Sequence, residues 1–438
     1  MVKKSFKQKL LPLAVVSSIA IGGLATTLST PAAEAENNHN NGKVKNVIFM
    51  VPDGFSASYA TNYRWFKGEE SLMDSMLVGM HRTYSVNSEV TDSAAAGTAM
   101  ATGVKTNNGM ISTSPDGKEL KTILEASEEA GKASGLVATS TITHATPAVF
   151  ASHVASRANE ADIAPQLLEN EVEVILGGGK KYFPDSLLNE AKEEGYKFVD
   201  DSKELANAEK TDKLIGLFAE EGMAPELDRN ETKQPSLAEM TEKSLDVLKK
   251  DKDGFFLMVE GSQIDWAGHD QDAAWAMKDS EAFEDALAEV LEFAKKDKNT
   301  LVVVAGDHDT GGMSVGGYDK GDAKLEVLRN VTATGDFMVS KLTADRSNAK
   351  EVVKQYANID LTDAENQKIK VASKPDIAIN EVISKRALVG WSSTNHTGTD
   401  VPLYAFGPGS NLFSGLHNNT DLPQLMAKAM KVNFTPSK

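Results

Sequence analysis

The run N-V-I-F-M-V, residues 46–51, leads directly into P-D-G at 52–54. It is short, continuously apolar and rich in β-branched side chains, with no polar alternation, as expected of a strand covered on both faces. Five more runs have the same character: S-G-L-V-A-T-S (134–140), V-E-V-I-L-G (172–177), G-F-F-L-M-V-E (254–260), T-L-V-V-V-A-G (300–306) and V-P-L-Y-A-F-G (401–407). Segments with helical spacing separate them. This alternation predicts an α/β fold, a three-layer sandwich whose largely parallel central sheet carries helices on both faces.

Several of these runs end in polar residues. Asp53 follows the first, Thr139 to Thr146 the second, Glu260 ends the fourth and Asp307-His308 follows the fifth. In open α/β sheets, ligands bind beyond the carboxyl ends of the strands, so these positions are expected to converge. Residues 180–250, rich in Glu, Lys and Ala, read as surface helices. Residues 313–375 read as a small inserted subdomain over the site, within one catalytic domain spanning 46–438. There is no internal repeat.

The N-terminus reads as a secretory signal over residues 1–35. Lys3, Lys4, Lys7 and Lys9 form its basic end, Leu10 to Leu24 its apolar run, and Ala33-Glu34-Ala35 its cleavage site. An uncleaved membrane anchor is the alternative. Residues 36–45 read as a flexible polar leader, and the mature chain is expected to be secreted. No later run is apolar for the 18 or so residues a membrane span needs. With no cysteine the chain has no disulfides, and its net charge of −17 argues against nucleic acid as a partner.

In D-W-A-G-H, Asp265 and His269 stand four apart, which on a helix places a carboxylate and an imidazole on one face, able to hold one metal ion. A plain Asp-His surface contact gives the same pattern. Asp307-His308 sits on a strand-end loop among Gly306, Gly311 and Gly312, where both side chains are free to turn toward one ion. His396, in S-S-T-N-H-T-G, and Asp53, in a turn-forming Asp-Gly, would be unremarked alone. Together these nitrogens and oxygens make two sites suited to Zn²⁺, and paired metals are a known clamp for a phosphoryl group.

V-T-D-S-A-A-A-G-T-A-M-A-T-G, residues 90–103, then acquires a role. Ser93 would open a helix of small residues whose amide end favours phosphate, and a metal would lower its hydroxyl pKa. Helix capping by Asp92-Ser93 remains open. The segment 143–157 adds His144, Thr146 and Arg157, whose planar guanidinium matches two phosphate oxygens. It reads as helical, with His153 on the face of Arg157 as a packing residue. His81 and His417 read as structural.

Taken together, V-I-F-M-V-P-D-G, V-T-D-S-A-A-A-G-T-A, T-H-A-T-P, S-H-V-A-S-R, V-E-G-S-Q-I-D-W-A-G-H, A-G-D-H-D-T-G-G, N-H-T-G and G-P-G resemble an alkaline phosphatase of the bacterial secreted type, over nearly the whole chain. The resemblance implies hydrolysis of phosphate monoesters through a phosphoserine on Ser93, with Asp92 positioning Arg157 and Arg157 gripping the phosphate. It implies one zinc on Asp265, His269 and His396 that activates water, and a second on Asp53, Asp307 and His308 that activates Ser93. It further implies a third ion, usually Mg²⁺, on Glu260 and Thr146 with Asp53 bridging, and a homodimer.

Two positions depart from the best-known form of the family, which has Asp at His144 and Lys at Trp266. A nitrogen at His144 suits Mg²⁺ poorly, and Trp266 removes a cation near the phosphate. Altered pH dependence and weaker phosphate inhibition are therefore expected. A phosphodiesterase is the competing reading within the superfamily. A sulfatase would need a C/S-x-P-x-R segment, and a phosphosugar mutase would lack a signal. A secreted metal-storage or phosphate-binding protein would need neither Ser93 nor Arg157.

Overall fold

A computed structural model describes residues 43–209 and 211–437, so the signal and most of the leader lie outside the described residues. Twelve strands occur among these: β1 (Asn46–Pro52), β2 (Leu77–Arg82), β3 (Ala133–Thr141), β4 (Val174–Gly178), β5 (Tyr196–Val199), β6 (Lys213–Leu217), β7 (Phe255–Gly261), β8 (Thr300–Ala305), β9 (Asp309–Thr310), β10 (His396–Thr397), β11 (Val401–Phe406) and β12 (Gly415–Asn418). Ten form one sheet in the order β12-β2-β11-β8-β1-β7-β3-β4-β6-β5, and β9 pairs with β10. Within the large sheet only β11 runs against the rest, antiparallel to both β8 and β2.

Every residue of β1 is buried, which is why its sequence shows no polar alternation. Its side chains divide between two cores. Ile48 and Met50 join Tyr59, Met240, Phe283 and Leu287 on one face. Val47, Phe49 and Val51 join Ala94, Met100, Leu167 and Met426 on the other. Helices thus cover both faces, giving the expected three layers. No described helix is long and apolar enough to cross a membrane.

The stretch 180–250 departs from its reading as surface helices. It contributes β5 and β6 to the sheet edge and a helix, Leu237–Leu248, with seven buried residues. Both strands are short runs among charged residues, Y-K-F-V and K-L-I-G-L, too brief for a period to emerge. The strands β2 and β12 went unread for the same reason. Between 313 and 375 lie helices Gly335–Ser340, Ala349–Ala357 and Asp363–Val371, whose Met338, Val353 and Ile369 belong to the same core as Phe283.

Candidate active site

The parallel strands deliver their polar ends to one edge of the sheet. Asp53 stands one residue past β1, Glu260 is the penultimate residue of β7, and Asp307-His308 follow β8. Gly54 makes the turn possible: its φ is +74°, and a Cβ there would lie 2.7 Å from Thr310 Oγ1 and 2.9 Å from Asp265 Cα. Its amide donates to Asp307 Oδ1 at 3.1 Å, joined by the His308 amide at 3.0 Å.

After β7 the helix Gln263–His269 carries the i, i+4 pair on one face, with His269 Nε2 3.4 Å from Asp265 Oδ2. His396 reaches the cluster through the pairing of β10 with β9, which sets it opposite Thr310. Its Nε2 lies 3.4 Å from Asp265 Oδ1 and 3.2 Å from His269 Nε2. The His396 ring stacks on His308 with centroids 3.6 Å apart. Backbone carbonyls orient the two outer imidazoles, Thr394 O for His269 Nδ1 at 2.7 Å and Thr91 O for His396 Nδ1 at 2.8 Å. Each imidazole so held presents Nε2 to the cluster.

Two groups have the proximity a metal ion requires: Asp53, Asp307 and His308, all buried, and Asp265, His308 and His396. His308 belongs to both. Its Nε2 is 3.1 Å from Asp307 Oδ2, 3.6 Å from Asp53 Oδ1 and 3.1 Å from Ser93 Oγ. Glu260 and Thr146 add oxygens beside Asp53, whose Oδ2 accepts from Thr146 Oγ1 at 3.1 Å. Asp53 Oδ1, Asp307 Oδ2 and Glu260 Oε1 are buried oxygens with no hydrogen-bond donor in the protein. Buried anionic oxygens without donors are costly, and cations are the partners that offset them. The donor chemistry therefore fits metals: nitrogen and oxygen in the two groups around His308, oxygen alone at Asp53, Glu260 and Thr146.

The electrostatics reflect the same crowding. Burial, then the neighbouring Asp307, pushes the Asp53 carboxyl well above its ordinary range. Burial raises Glu260 to about 7. Burial would also raise Asp265, but hydrogen bonds from His269 and His396 outweigh it and hold that carboxyl well below the usual range.

Ser93 opens the helix Ser93–Thr102, every residue of which is buried, and this explains the run of small side chains. Asp92 caps it, Oδ1 accepting from the Ala95 amide at 2.9 Å. Capping and site chemistry thus coexist in one residue, since Asp92 Oδ2 also accepts from Arg157 Nη1 at 3.1 Å and from the Gly109 amide at 2.9 Å. Arg157 Nη2 lies 3.0 Å from His144 Nε2. Burial and the Arg157 charge lower His144 to about 3, so this imidazole is neutral. Trp266 meets His144 edge to face, with ring centroids 6.0 Å apart.

The segment 143–157 is not the helix its sequence suggested. Helix is confined to Ala145–Ala148, because Val154 pairs its backbone with Ile111 through two hydrogen bonds of 3.0 and 3.1 Å. Arg157 consequently sits in a turn, and His153 contacts Glu125 at 2.8 Å rather than lying beside it. His81 on β2 is buried, and His417 lies on β12; neither joins the cluster.

Thr310 is a member the sequence reading missed. Its hydroxyl donates to Asp265 Oδ1 and lies 3.2 Å from His308 Nδ1, tying the two groups together. Tyr59 fixes its backbone, the phenol donating to Thr310 O at 2.6 Å. Its spacing two residues after His308 was the available signal, and a threonine alone does not advertise such a role.

A family model described as alkaline phosphatase matches residues 44–432. Alkaline phosphatase 3 of Bacillus subtilis (strain 168) is 44% identical over 461 residues, covering 98% of this chain and 99% of the relative. The crystal structure of a cold-active alkaline phosphatase from the psychrophile Shewanella sp. superposes with a TM-score of 0.83 at 34% identity, covering 88% of this chain and 99% of that one. Two structures of the alkaline phosphatase of the Antarctic bacterium TAB5 have TM-scores of 0.69 at 28% identity, covering 90% of this chain and 99% of that one. They carry Glu or Asp in place of one histidine and have Mg bound in the M3 site. Identity of this extent, from one end of the described structure to the other and on a shared fold, means that the chain belongs to the alkaline phosphatase family.

Proposed function

We propose that the protein hydrolyses phosphate monoesters through a phosphoserine on Ser93, with two Zn²⁺ ions and a third ion at the site. The observation that carries this is the position of Ser93 Oγ, 3.1 Å from Nε2 of His308, a member of the buried group Asp53, Asp307 and His308. Asp265, His269 and His396 would hold one zinc, and Asp53, Asp307 and His308 the other. Such ions, when bound, supply Lewis acidity that lowers the pKa of a hydroxyl or a water and neutralises phosphoryl charge.

Ser93 Oγ attacks phosphorus as the bond to the ester oxygen breaks, releasing the alcohol and leaving a phosphoserine. Water then forms the new bond to phosphorus, the Oγ–P bond breaks, and inorganic phosphate leaves. Arg157 offers two parallel donors to the phosphoryl oxygens, and Asp92 sets the plane of its guanidinium. The helix that begins at Ser93 adds its positive end to the same charge.

Asp53, Glu260 and Thr146 would hold the third ion, with His144 beside them. The oxygen set suits Mg²⁺, and the imidazole at His144 weakens that preference. The TAB5 structures in which an acid replaces a histidine and Mg occupies the M3 site support this reading by analogy. The basic, apolar and A-x-A segments of residues 1–35 support export. Exposed Leu77, Met80 and Leu416 on β2 and β12, with Tyr84 two residues past β2, support a homodimer.

The test is phosphate release from an aryl phosphomonoester near pH 9, before and after chelation, with zinc and magnesium restored separately, in the wild type and in Ser93→Ala. Loss on chelation, return with zinc and an inert Ser93→Ala protein are expected. A Ser93→Ala protein with full activity would overturn the mechanism.

A further inference from the structure

Gly222 lies in the loop 218–223 that follows β6, and its backbone does not call for glycine, because its φ falls outside the left-handed region. What requires glycine is space. A Cβ there would lie 2.4 Å from Cη2 and 2.6 Å from Cζ3 of Trp266, whereas non-bonded carbons rest about 3.5–4.0 Å apart. The loop backbone is therefore seated directly against the outer ring of the indole.

The loop has little freedom to retreat. Its Ala219 and Glu221 carbonyls accept from the Lys180 and Gly179 amides at 2.9 Å each, and the Met223 amide donates to Thr139 O at 3.0 Å. Gln263, on the helix that carries Trp266, donates from Nε2 to Met223 O at 2.7 Å.

From the indole the contacts lead to the phosphate side of the site. Trp266 meets His144, whose Nε2 accepts from Arg157 Nη2 at 3.0 Å, while Asp92 Oδ2 accepts from Arg157 Nη1 at 3.1 Å. Two acceptors thus hold the guanidinium, one at each amino group. The helix cap and the Gly109 amide fix the carboxylate, but His144 Nδ1 has no hydrogen-bond partner in the protein. An imidazole is ordinarily oriented by the bond its second nitrogen makes. His144 has the Trp266 ring instead.

We propose that Gly222 and Trp266 are positioning residues: the loop after β6 seats the indole, the indole orients His144, and His144 orients one half of the Arg157 guanidinium. The inference rests on the reading above that Arg157 grips the phosphate. Phosphate affinity then depends on a loop that supplies no residue to either candidate metal group.

The experiment is a double-mutant cycle on the metal-loaded protein: wild type, Gly222→Ala, Trp266→Phe and both together, with Trp266→Ala and Ser93→Ala alongside. The readouts are kcat and KM for an aryl phosphomonoester, the competitive inhibition constant of inorganic phosphate, and Tm. The added methyl drives the indole back by roughly 1 Å, and misplacements of that size cost up to about 10²-fold. Gly222→Ala should therefore lower kcat/KM and weaken phosphate inhibition by about 10- to 100-fold. Phenylalanine lacks the two indole carbons in question, so beside Trp266→Phe the same alanine should change both by less than about twofold. Trp266→Ala should weaken phosphate inhibition as well, and it tests the seat even where Gly222→Ala does not fold. A lower Tm with phosphate inhibition unchanged in Gly222→Ala or Trp266→Ala, or an equal loss in both backgrounds of the cycle, would overturn the proposal. The two readings fail separately: activity retained by Ser93→Ala strikes the phosphoserine, whereas unchanged phosphate inhibition strikes only the seat.

Discussion

Asp92 is the residue whose two duties can be separated. Its Oδ1 caps the helix that begins at Ser93, and its Oδ2 holds Arg157 and the Gly109 amide. Asp92→Ala removes a cap of about 1 kcal/mol and two charge-assisted bonds. In a fully buried setting those bonds would contribute roughly 1.5–3 kcal/mol each. The side chains of Asp92 and Arg157 are 20% and 28% exposed, so we take about 1 kcal/mol for each bond. The total of roughly 3 kcal/mol corresponds to a Tm lower by about 4 °C for a chain of this size, at ~2.1 cal/mol/K per residue. Asp92→Asn keeps an acceptor for the Ala95 amide but offers an NH₂ where two donors already point. It should recover the cap, about 1 °C of Tm. Both variants leave Arg157 without its carboxylate, and a misplacement near 1 Å costs about 10²-fold in kcat/KM. Thermal denaturation and steady-state hydrolysis of an aryl phosphate, run on all three proteins, check this. If both variants keep wild-type kcat/KM while Asp92→Ala loses its Tm, Asp92 is a helix cap and the positioning argument is wrong.

Metal removal should destabilise the protein as well as silence it, because Asp53 and Asp307 are buried together with unpartnered oxygens. At 1,000 times Kd each ion contributes about 4 kcal/mol, or roughly 5 °C per site, so a calorimetric Tm unmoved by chelation would refute metal binding there. Thr310→Val should weaken metal affinity about 10- to 100-fold, measured by competition with a chelating dye, because its hydroxyl orients Asp265. The His153–Glu125 pair predicts a pH signature. Burial lowers His153, but Glu125 outweighs it and raises the imidazole above its ordinary value; burial raises Glu125, but His153 holds it below. The raised His153 stabilises fully below its unfolded pKa of about 6.5, and the lowered Glu125 fully above about 4.5. The Tm difference between wild type and Glu125→Gln should therefore be largest between those values and shrink as pH rises through the folded His153 pKa; a difference constant to pH 9 would count against the pair. Trp266→Lys should tighten inorganic phosphate as a competitive inhibitor, and an unchanged inhibition constant would exclude a phosphate contact at that position.

Much of the architecture and the site was legible in the residues themselves. Continuous apolar runs such as N-V-I-F-M-V identify strands buried on both faces, because a residue with core on either side has no solvent to alternate toward. The polar residue closing each run then marks one edge of the sheet. The pair Asp265 and His269 was legible because its geometry is local, set by the helix period. Short edge strands such as β5 were not, since four residues cannot establish a period, and the turn at Arg157 was hidden because a pairing with Ile111 decides it.

Sequence alone therefore determined which strands exist at the centre of the sheet, which chemical groups they deliver and to which edge. Only the tertiary structure decided how those groups combine. Ser93 and His308 stand 215 residues apart yet lie 3.1 Å from one another, and His396 enters through a two-residue pairing with β9. It also decided that His308 is common to both metal groups and that Thr310 joins them. The reason is physical: spacing along the chain fixes neighbours only within a turn or a strand, while distances between separate elements follow from sheet order and core packing.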